Sequence, residues 1–128
     1  MQRLLIDSDV LIELWRGKPE AINTIQQYAK TNILAISVVT WYELIVGCRD
    51  KKELLSVTHF LEDFELILIH EQISKGTQTL LTQYRLSHGL LTSDALIAST
   101  AITHGLELLS RNQKDFRFIQ NLNLLPYP

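Results

Sequence analysis

Apolar and polar positions follow two alternating patterns along the chain. Short apolar runs of strand length predict strands at Leu4–Ile6, Leu34–Ile36, Phe64–Ile69 and Leu106–Leu109. Between them, apolar residues recur at helical spacing, with capping residues or glycines at the ends. This spacing predicts helices over Asp9–Trp15, Pro19–Tyr28, Ser37–Gly47, Asp50–Leu61, Glu71–His88 and Asp94–His104. In the fourth helix the expected buried positions are Leu54, Leu55, Phe60 and Leu61, and in the sixth Thr92 and Ser93 are the expected caps.

The order of these elements indicates the fold class. Strands alternate with helices and no Asn-Gly hairpin turn occurs, which favours βαβ units and a parallel sheet. We therefore expect a three-layer α/β/α domain with a central parallel sheet of four to five strands. In such sheets, ligands bind in the crevice at the carboxyl ends of the strands.

Composition narrows the picture further. The 128 residues predict a single domain over residues 1–128, and 46% hydrophobic with 20% charged residues is typical of a folded globular chain. The formal charge of −2 gives no global attraction for nucleic acid, so any such contact has to be local. Cys48 has no disulfide partner and no apolar stretch reaches the ~20 residues of a bilayer span. We therefore expect a cytoplasmic location and no membrane association.

Four carboxylates are candidate functional residues. Asp7 ends the first strand, where it could equally cap the next helix. Glu43 lies in a helix that is apolar nearly all round, so its carboxylate is expected to be partly desolvated. Asp94 shares a helix face with small apolar residues, although an acid in a first turn also complements the helix dipole. Asp115 lies in the polar segment Ser110–Phe116, where it could be a turn residue only.

Taken together, these acids indicate a metal site. Three of them follow the carboxyl end of a predicted strand, directly or in the next helix, and would face the same crevice. Carboxylates that crowd together need either raised pKa values or a cation between them. Oxygen ligands without thiolate or imidazole favour Mg²⁺ or Mn²⁺. Mg²⁺ takes one or two protein carboxylates, keeps its waters and binds phosphate, so metal-assisted attack on a phosphodiester is predicted.

Four segments resemble the motifs of one family in order and separation. Asp7-Ser8-Asp9-Val10-Leu11-Ile12 is similar to its opening Asp-Thr/Ser-x-x-Leu-Ile, and Glu43-Leu44-Ile45-Val46-Gly47 to its Glu-Leu-x-x-Gly. Asp94-Ala95-Leu96-Ile97-Ala98 resembles its Asp-Ala-x-Ile-Ala, and Ser110-Arg111-Asn112-Gln113-Lys114-Asp115-Phe116 its closing Thr-Arg/Asn-Asn/Asp-x-x-Asp-Phe. The chain thus resembles PIN-domain ribonucleases, in particular VapC-type toxins of toxin–antitoxin pairs.

The resemblance implies an endoribonuclease whose acidic pocket binds one or two Mg²⁺ or Mn²⁺ ions. Asp7, Glu43 and Asp94 would be the main catalytic and metal-binding acids, and Asp115 is the preferred fourth. Asn112 is expected as an oxygen ligand or a hydrogen-bonding neighbour of the site. Ser8 and Ser110 are expected to offer hydroxyls to it, although Ser8 could instead cap the helix, and Ser110 stands where Thr is usual. Asp9 is not expected as a ligand, since the helix should already have begun there.

Partners follow from the same resemblance. We expect an RNA substrate, a small antitoxin that covers the pocket, and a homodimer. Among the cations in or near the loops and helix ends close to the acids, Arg111 and Lys114 are the ones expected to hold RNA phosphates.

Three alternatives remain open from the sequence. Asp7-Ser8-Asp9 is also how haloacid dehalogenase-like phosphatases begin, but Leu11 stands where that pattern has Thr or Val, and no Gly-Asp pair follows. A response-regulator receiver would need a Lys-Pro after its last strand, and none follows Leu109. A degenerate PIN fold that serves as a protein-binding module is the third, and the intact acids argue against it.

Overall fold

The computed structural model describes all 128 residues, Met1 to Pro128, as five strands and seven helices. The strands are β1 (Gln2–Ile6), β2 (Asn32–Ser37), β3 (Glu65–Ile67), β4 (Glu107–Leu109) and β5 (Asn123–Leu125). The helices are α1 (Ser8–Trp15), α2 (Pro19–Ala29), α3 (Val38–Val46), α4 (Lys51–Leu61), α5 (Glu71–His88), α6 (Thr92–His104) and α7 (Gln113–Phe116).

All five strands form one parallel sheet in the order β3-β2-β1-β4-β5. The central strand β1 pairs with β2 on one side and with β4 on the other, so the chain reverses its direction of winding there. In open parallel sheets this reversal leaves a crevice beyond the carboxyl ends of the strands. The expected parallel sheet is confirmed, and β5, which the apolar pattern did not single out, completes it.

The sheet separates two apolar cores. Successive side chains of a strand point to opposite faces, and accordingly Leu5 packs with α5, α6 and α7 in one core while Leu4 and Ile6 pack with α1, α2, α3 and α4 in the other. Leu4, Leu5 and Ile6 are all fully buried. This arrangement is the expected three-layer α/β/α architecture. None of the helices has the length and apolarity needed to cross a bilayer.

The structure corrects several boundaries and one set of buried positions. In α4 the buried residues are Val57 and Leu61, whereas Leu54 and Leu55 are exposed, because the apolar stripe that meets the core is displaced around the helix. The helix α6 begins at Thr92 with Leu91 as its N-cap, so the expected Thr92 and Ser93 caps are wrong. Strand β3 is three residues long, not six, and the polar segment Ser110–Phe116 contains the helical turn α7.

Candidate active site

Asp7 lies at the centre of the carboxyl edge of the sheet. Asp7 directly follows β1, caps α1 and is 4% exposed. The backbone N–H of Ser8 donates to Oδ1 at 2.9 Å, and the hydroxyl of Ser110 donates to Oδ2 at 2.7 Å. Burial and the neighbouring Asp9 carboxylate nevertheless raise the pKa of Asp7 to about 7. The two sequence interpretations of Asp7, helix cap and site acid, are therefore compatible.

Asp9 joins the site, which the sequence interpretation did not expect. The helix does begin before Asp9, as predicted, but the first turn of α1 holds the side chain towards Asp7, and the two carboxylates repel each other. The backbone N–H groups of Val10 and Arg111 donate to its two carboxylate oxygens at 2.7 and 3.1 Å. Burial raises the pKa of Asp9 above its usual value. An acid in a first helical turn can thus reach a site at the adjacent strand end.

Glu43 is held by a chain of hydroxyl groups. Ser8 Oγ lies 2.9 Å from Glu43 Oε1 and 2.9 Å from Thr40 Oγ1, and Ser8 and Thr40 are buried. Glu43 itself is exposed, so the expectation of a desolvated carboxylate is wrong. The outer side of α3 has no covering element, and Tyr42 and Val46 beside Glu43 are 52% and 84% exposed.

Asp94 interacts electrostatically with three other acids of the site. It lies in the first turn of α6 and is half-buried. Burial and the carboxylates of Asp115, Glu43 and Asp9 raise the pKa of Asp94 to about 6. Asp94 and Asp115 also line one surface hollow, together with residues of the α5–α6 connection. Five carboxylates from four separate segments thus interact through space.

The segment after β4 supplies polar groups to the same edge. Ser110 is fully buried, donates to Asp7 and accepts a hydrogen bond from the Asn112 backbone N–H at 3.1 Å. Arg111 Nη1 lies 2.7 Å from Glu13 Oε1 in an ion pair. Asn112 and Lys114 are exposed beside the acids. The structure therefore places every residue that the sequence singled out for the site in the segments that meet at this edge.

The chemistry of the donor groups fits a hard divalent cation. The site offers carboxylate and hydroxyl oxygens, and neither imidazole nor thiolate is among them. No group of three or more His, Cys, Asp or Glu side chains is so arranged that it could hold one ion by itself. That arrangement suits an ion such as Mg²⁺, which takes one or two protein carboxylates and fills its remaining positions with water.

Two residues of the site escaped the sequence interpretation for identifiable reasons. Asp9 gives no clear signal in the sequence, because its side chain shares the direction of Asp7 only if the strand continues, and the sequence predicts that the helix has begun there. Thr40 carried no signal of its own, because a hydroxyl in an apolar helix commonly bonds to the preceding turn. Its spacing of three residues before Glu43, which places both on one helix face, was the available signal.

Comparison with known proteins agrees with the fold and the motifs. The family model of the PIN domain matches residues 4–121. The chain is 36% identical over 120 residues to ribonuclease VapC10 of Mycobacterium tuberculosis, covering 93% of this chain and 90% of that protein. It is 32% identical over 130 residues to ribonuclease VapC1 of Rickettsia felis, covering 95% and 94%.

Solved structures give the same assignment. A toxin–antitoxin complex from Klebsiella pneumoniae contains a chain with a TM-score of 0.81 and 32% identity, with 96% of both chains covered. VapBC2 from Rickettsia felis, bound to a DNA fragment from its promoter, contains one with a TM-score of 0.85 and 26% identity, covering 99% of this chain and 100% of that one. Together with the motifs and the sheet order, these matches show that the chain belongs to the PIN-domain family, within its VapC group.

Proposed function

We propose that the protein is a Mg²⁺- or Mn²⁺-dependent endoribonuclease and the toxin of a type II toxin–antitoxin pair. The observation that carries this proposal is the meeting of Asp7, Asp9, Glu43, Asp94 and Asp115 at one sheet edge. Burial of several like charges is unfavourable unless a cation offsets them. The ribonuclease names of the VapC relatives support RNA as the substrate.

Each acid has a distinct part in the proposed site. Asp7 is the most buried of the five carboxylates, Asp9 and Asp94 are half-buried, and Glu43 and Asp115 are exposed. Asp7 and Asp94 would be the principal metal ligands, with Asp9, Glu43 and Asp115 around them. A bound divalent ion would activate a water molecule and offset the negative charge that develops on the phosphate. Ser110 orients Asp7, and Ser8 orients Glu43, so neither carboxylate has to be reorganised for binding.

The hydrolytic step needs an acceptor for the proton of the attacking water. Asp94 or Asp115, which share a hollow, would orient this water and take its proton. The water oxygen would form the new bond to phosphorus while the bond to the leaving sugar oxygen breaks. That oxygen would take up a proton from solvent, and the carboxylate would later release its proton to solvent. Arg111 and Lys114 would hold the flanking phosphates of the RNA.

The partner proposal rests on the exposed apolar side of the site. Trp15, Tyr42, Val46 and Leu55 are between 38% and 84% exposed on α1, α3 and α4. Glu43 lines a hollow between these same helices, so a partner segment that covered it would also reach the acids. A cognate antitoxin with apolar anchors and a cationic side chain fits this surface. We further propose that the chain forms a homodimer, which light scattering of the purified protein would test.

The decisive experiment is RNA cleavage by the purified chain. Total RNA is incubated with Mg²⁺, with Mn²⁺ or with EDTA, and the 5′ and 3′ ends of the products are mapped. We expect discrete cleavage only with the divalent ions. Asp7→Asn and Asp94→Asn should abolish it, whereas Asp63→Asn, the same change at an exposed acid after α4, should retain it.

Two outcomes would contradict the proposal. Cleavage that persists in EDTA or in both site variants would separate the activity from the acidic site. Metal binding with no cleavage of any RNA would instead favour a PIN fold that acts as a protein-binding module. Circular dichroism of each variant shows that loss of activity does not reflect loss of folding.

A further inference from the structure

A second group of chemically competent side chains lies away from the acids. The Nε2 atoms of His70 and His104 are 3.1 Å apart, with their ring planes at 72°. His70 precedes α5 and His104 ends α6, and 34 residues separate them in sequence. Ten residues of α6 separate His104 from Asp94, roughly 15 Å along a helix. This pair is therefore not part of the acidic site.

The two imidazoles converge at a spacing suited to a metal ion. A zinc ion bound to two imidazole nitrogens at 2.0–2.1 Å in tetrahedral geometry places those nitrogens about 3.3 Å apart. The pair needs to open by only a few tenths of an ångström to reach that spacing. No third His, Cys, Asp or Glu side chain completes the group, so water would supply the remaining ligands.

The surroundings keep the pair available to a cation. Burial, the nearby Arg3 guanidinium and His70 lower the pKa of His104, which favours the neutral imidazole that metals require. The charge of Arg3 is itself offset by an ion pair with Glu65. His70 is exposed, so an ion can enter from solvent.

We infer that His70 and His104 form a binding site for a borderline transition-metal dication, of which Zn²⁺ and Ni²⁺ are the representatives, and that this ion joins the start of α5 to the end of α6. Imidazole nitrogen suits these ions, whereas the oxygen-only acidic site suits Mg²⁺ and Mn²⁺. The two sites therefore select different metals, and the inference is independent of the proposed nuclease activity.

Binding at this pair has a structural consequence. The two helices pack closely along their length, with Ser99 Oγ of α6 donating to the Ile73 carbonyl of α5 at 2.7 Å. An ion shared by His70 and His104 would join the start of α5 to the end of α6, at the opposite end of this helix pair from Gly89, the C-cap of α5. A ligand that binds the folded state alone stabilises it by an amount that grows with the logarithm of its concentration once this exceeds the dissociation constant. Zn²⁺ should thus raise the melting temperature.

The test is titration of the full chain with ZnCl₂ by calorimetry, with excess Mg²⁺ present to occupy the acidic site. We expect one zinc per chain, with a rise in melting temperature. His70→Gln and His104→Gln should each lower the zinc association constant at least about tenfold and remove the thermal shift. His59→Gln, at an exposed histidine of α4, is the matched control and should bind zinc unchanged.

The results separate the alternatives. If the wild-type chain binds no zinc in excess Mg²⁺, or if both histidine variants bind it as the wild type does, the inference is wrong and the contact is only a hydrogen bond between two rings. Because the histidines lie at helix ends on the surface, their variants should fold, which circular dichroism checks. RNA cleavage plays no part in this readout, so a failed nuclease proposal would leave it intact.

Discussion

Ser8 Oγ lies 2.9 Å from both Glu43 Oε1 and Thr40 Oγ1 and so joins the start of α1 to the middle of α3. A hydroxyl has one proton and an ionised carboxylate only accepts, so Ser8 donates to Glu43 and Thr40 donates to Ser8. Thr40 is fully buried, so its hydroxyl does not face the solvent-exposed part of the acidic site. It therefore acts as a positioning residue for Glu43, through Ser8.

Thr40→Val should weaken the site without unfolding the chain. Valine keeps the shape but removes the donor to Ser8, which leaves Ser8 free to turn away from Glu43. Loss of such a supporting hydrogen bond typically costs about 10- to 100-fold in metal affinity or activity. The Mg²⁺ concentration for half-maximal RNA cleavage should therefore rise, as a metal titration of cleavage rates would show.

Thr40→Ser keeps the hydroxyl and should restore most of the metal response. Thr58→Val is a matched control, because the Thr58 hydroxyl is exposed on α4 and bonds only to the Leu54 carbonyl. If Thr40→Val and Thr58→Val both needed the same Mg²⁺ concentration as the wild type, the hydrogen bonds from Thr40 through Ser8 would not position Glu43.

The acidic site should make the metal-free chain less stable as the pH rises. The pKa of Asp7 is raised from 3.8 to about 7 in the folded state, so between these values the folded chain binds more protons than the unfolded one. The free energy of unfolding therefore falls as pH rises from about 4 to about 7, then levels off. One pKa unit corresponds to about 1.4 kcal/mol, so the full loss from Asp7 should be on the order of 4 kcal/mol.

Urea unfolding in EDTA at pH 5 and pH 8 measures this effect. Asp7→Asn cannot ionise and should lose less stability between the two pH values than the wild type, while Asp63→Asn should follow the wild type. Saturating Mg²⁺ should also reduce the pH dependence, because an ion at the site favours the charged carboxylates. Equal pH dependence in the wild type and Asp7→Asn would mean that Asp7 ionises normally in the folded chain.

Gly76 should be essential to the packing of α5 on α6. A Cβ atom added at Gly76 would lie 2.4 Å from Ser99 Oγ, whose hydrogen bond to the Ile73 carbonyl fixes it in place. Overpacking of this kind typically costs about 1–3 kcal/mol. Gly76→Ala should therefore lower the free energy of unfolding by that amount in urea.

A double variant identifies the cause of this loss. Ser99→Ala removes the clashing oxygen, so Gly76→Ala should cost less when Ser99 is already alanine. Gly47→Ala, where the added Cβ meets only carbonyl oxygens at 3.5 and 3.6 Å, should leave stability nearly unchanged. If the Gly76→Ala cost were the same with and without the Ser99 hydroxyl, the tight contact would not be its source.

The sequence predicts the three layers and the parallel sheet better than it predicts details that depend on how neighbouring elements pack. The β1, β2 and β4 strands are short apolar runs that the sheet buries on both faces, which is why their positions follow from hydropathy alone. Strand β5 is only partly buried at the edge of the sheet, so its pattern is weaker. In α4 the helical spacing is clear from the sequence, but the side of the helix that meets the core depends on how α3 and α4 pack. The prediction that Leu55 is buried is wrong for this reason.

Asp7, Glu43 and Asp94 can be predicted from the sequence because each ends or interrupts an apolar pattern, whereas Asp115 is indicated by its place in the closing motif. Their motifs also distinguish the PIN-domain family from the haloacid dehalogenase and receiver alternatives, which family membership now excludes. Contacts between distant segments could not be predicted. Asp9 accepts a hydrogen bond from the backbone N–H of Arg111, 102 residues away, and nothing in the sequence around either residue indicates this contact.

Lys114 and Arg111 should contribute unequally to RNA binding. Lys114 is exposed, whereas Arg111 is paired with Glu13 at 2.7 Å and has to exchange that carboxylate for a phosphate. Each lysine–phosphate contact releases counterions and contributes about 0.7 to the slope of log affinity against log salt for a single strand. Lys114→Gln should reduce the slope by about that amount, and Arg111→Gln by less.

Fluorescence anisotropy with a labelled single-stranded RNA measures both slopes, in an Asp94→Asn background that prevents cleavage. Lys30→Gln, at an exposed lysine before the start of β2, lies at the opposite end of the sheet and should leave the slope unchanged. If Lys30→Gln reduced the slope as much as Lys114→Gln, RNA would bind through the general charge of the surface. In that case phosphates would not be held beside the acids, and the cations of the segment after β4 would have no special role.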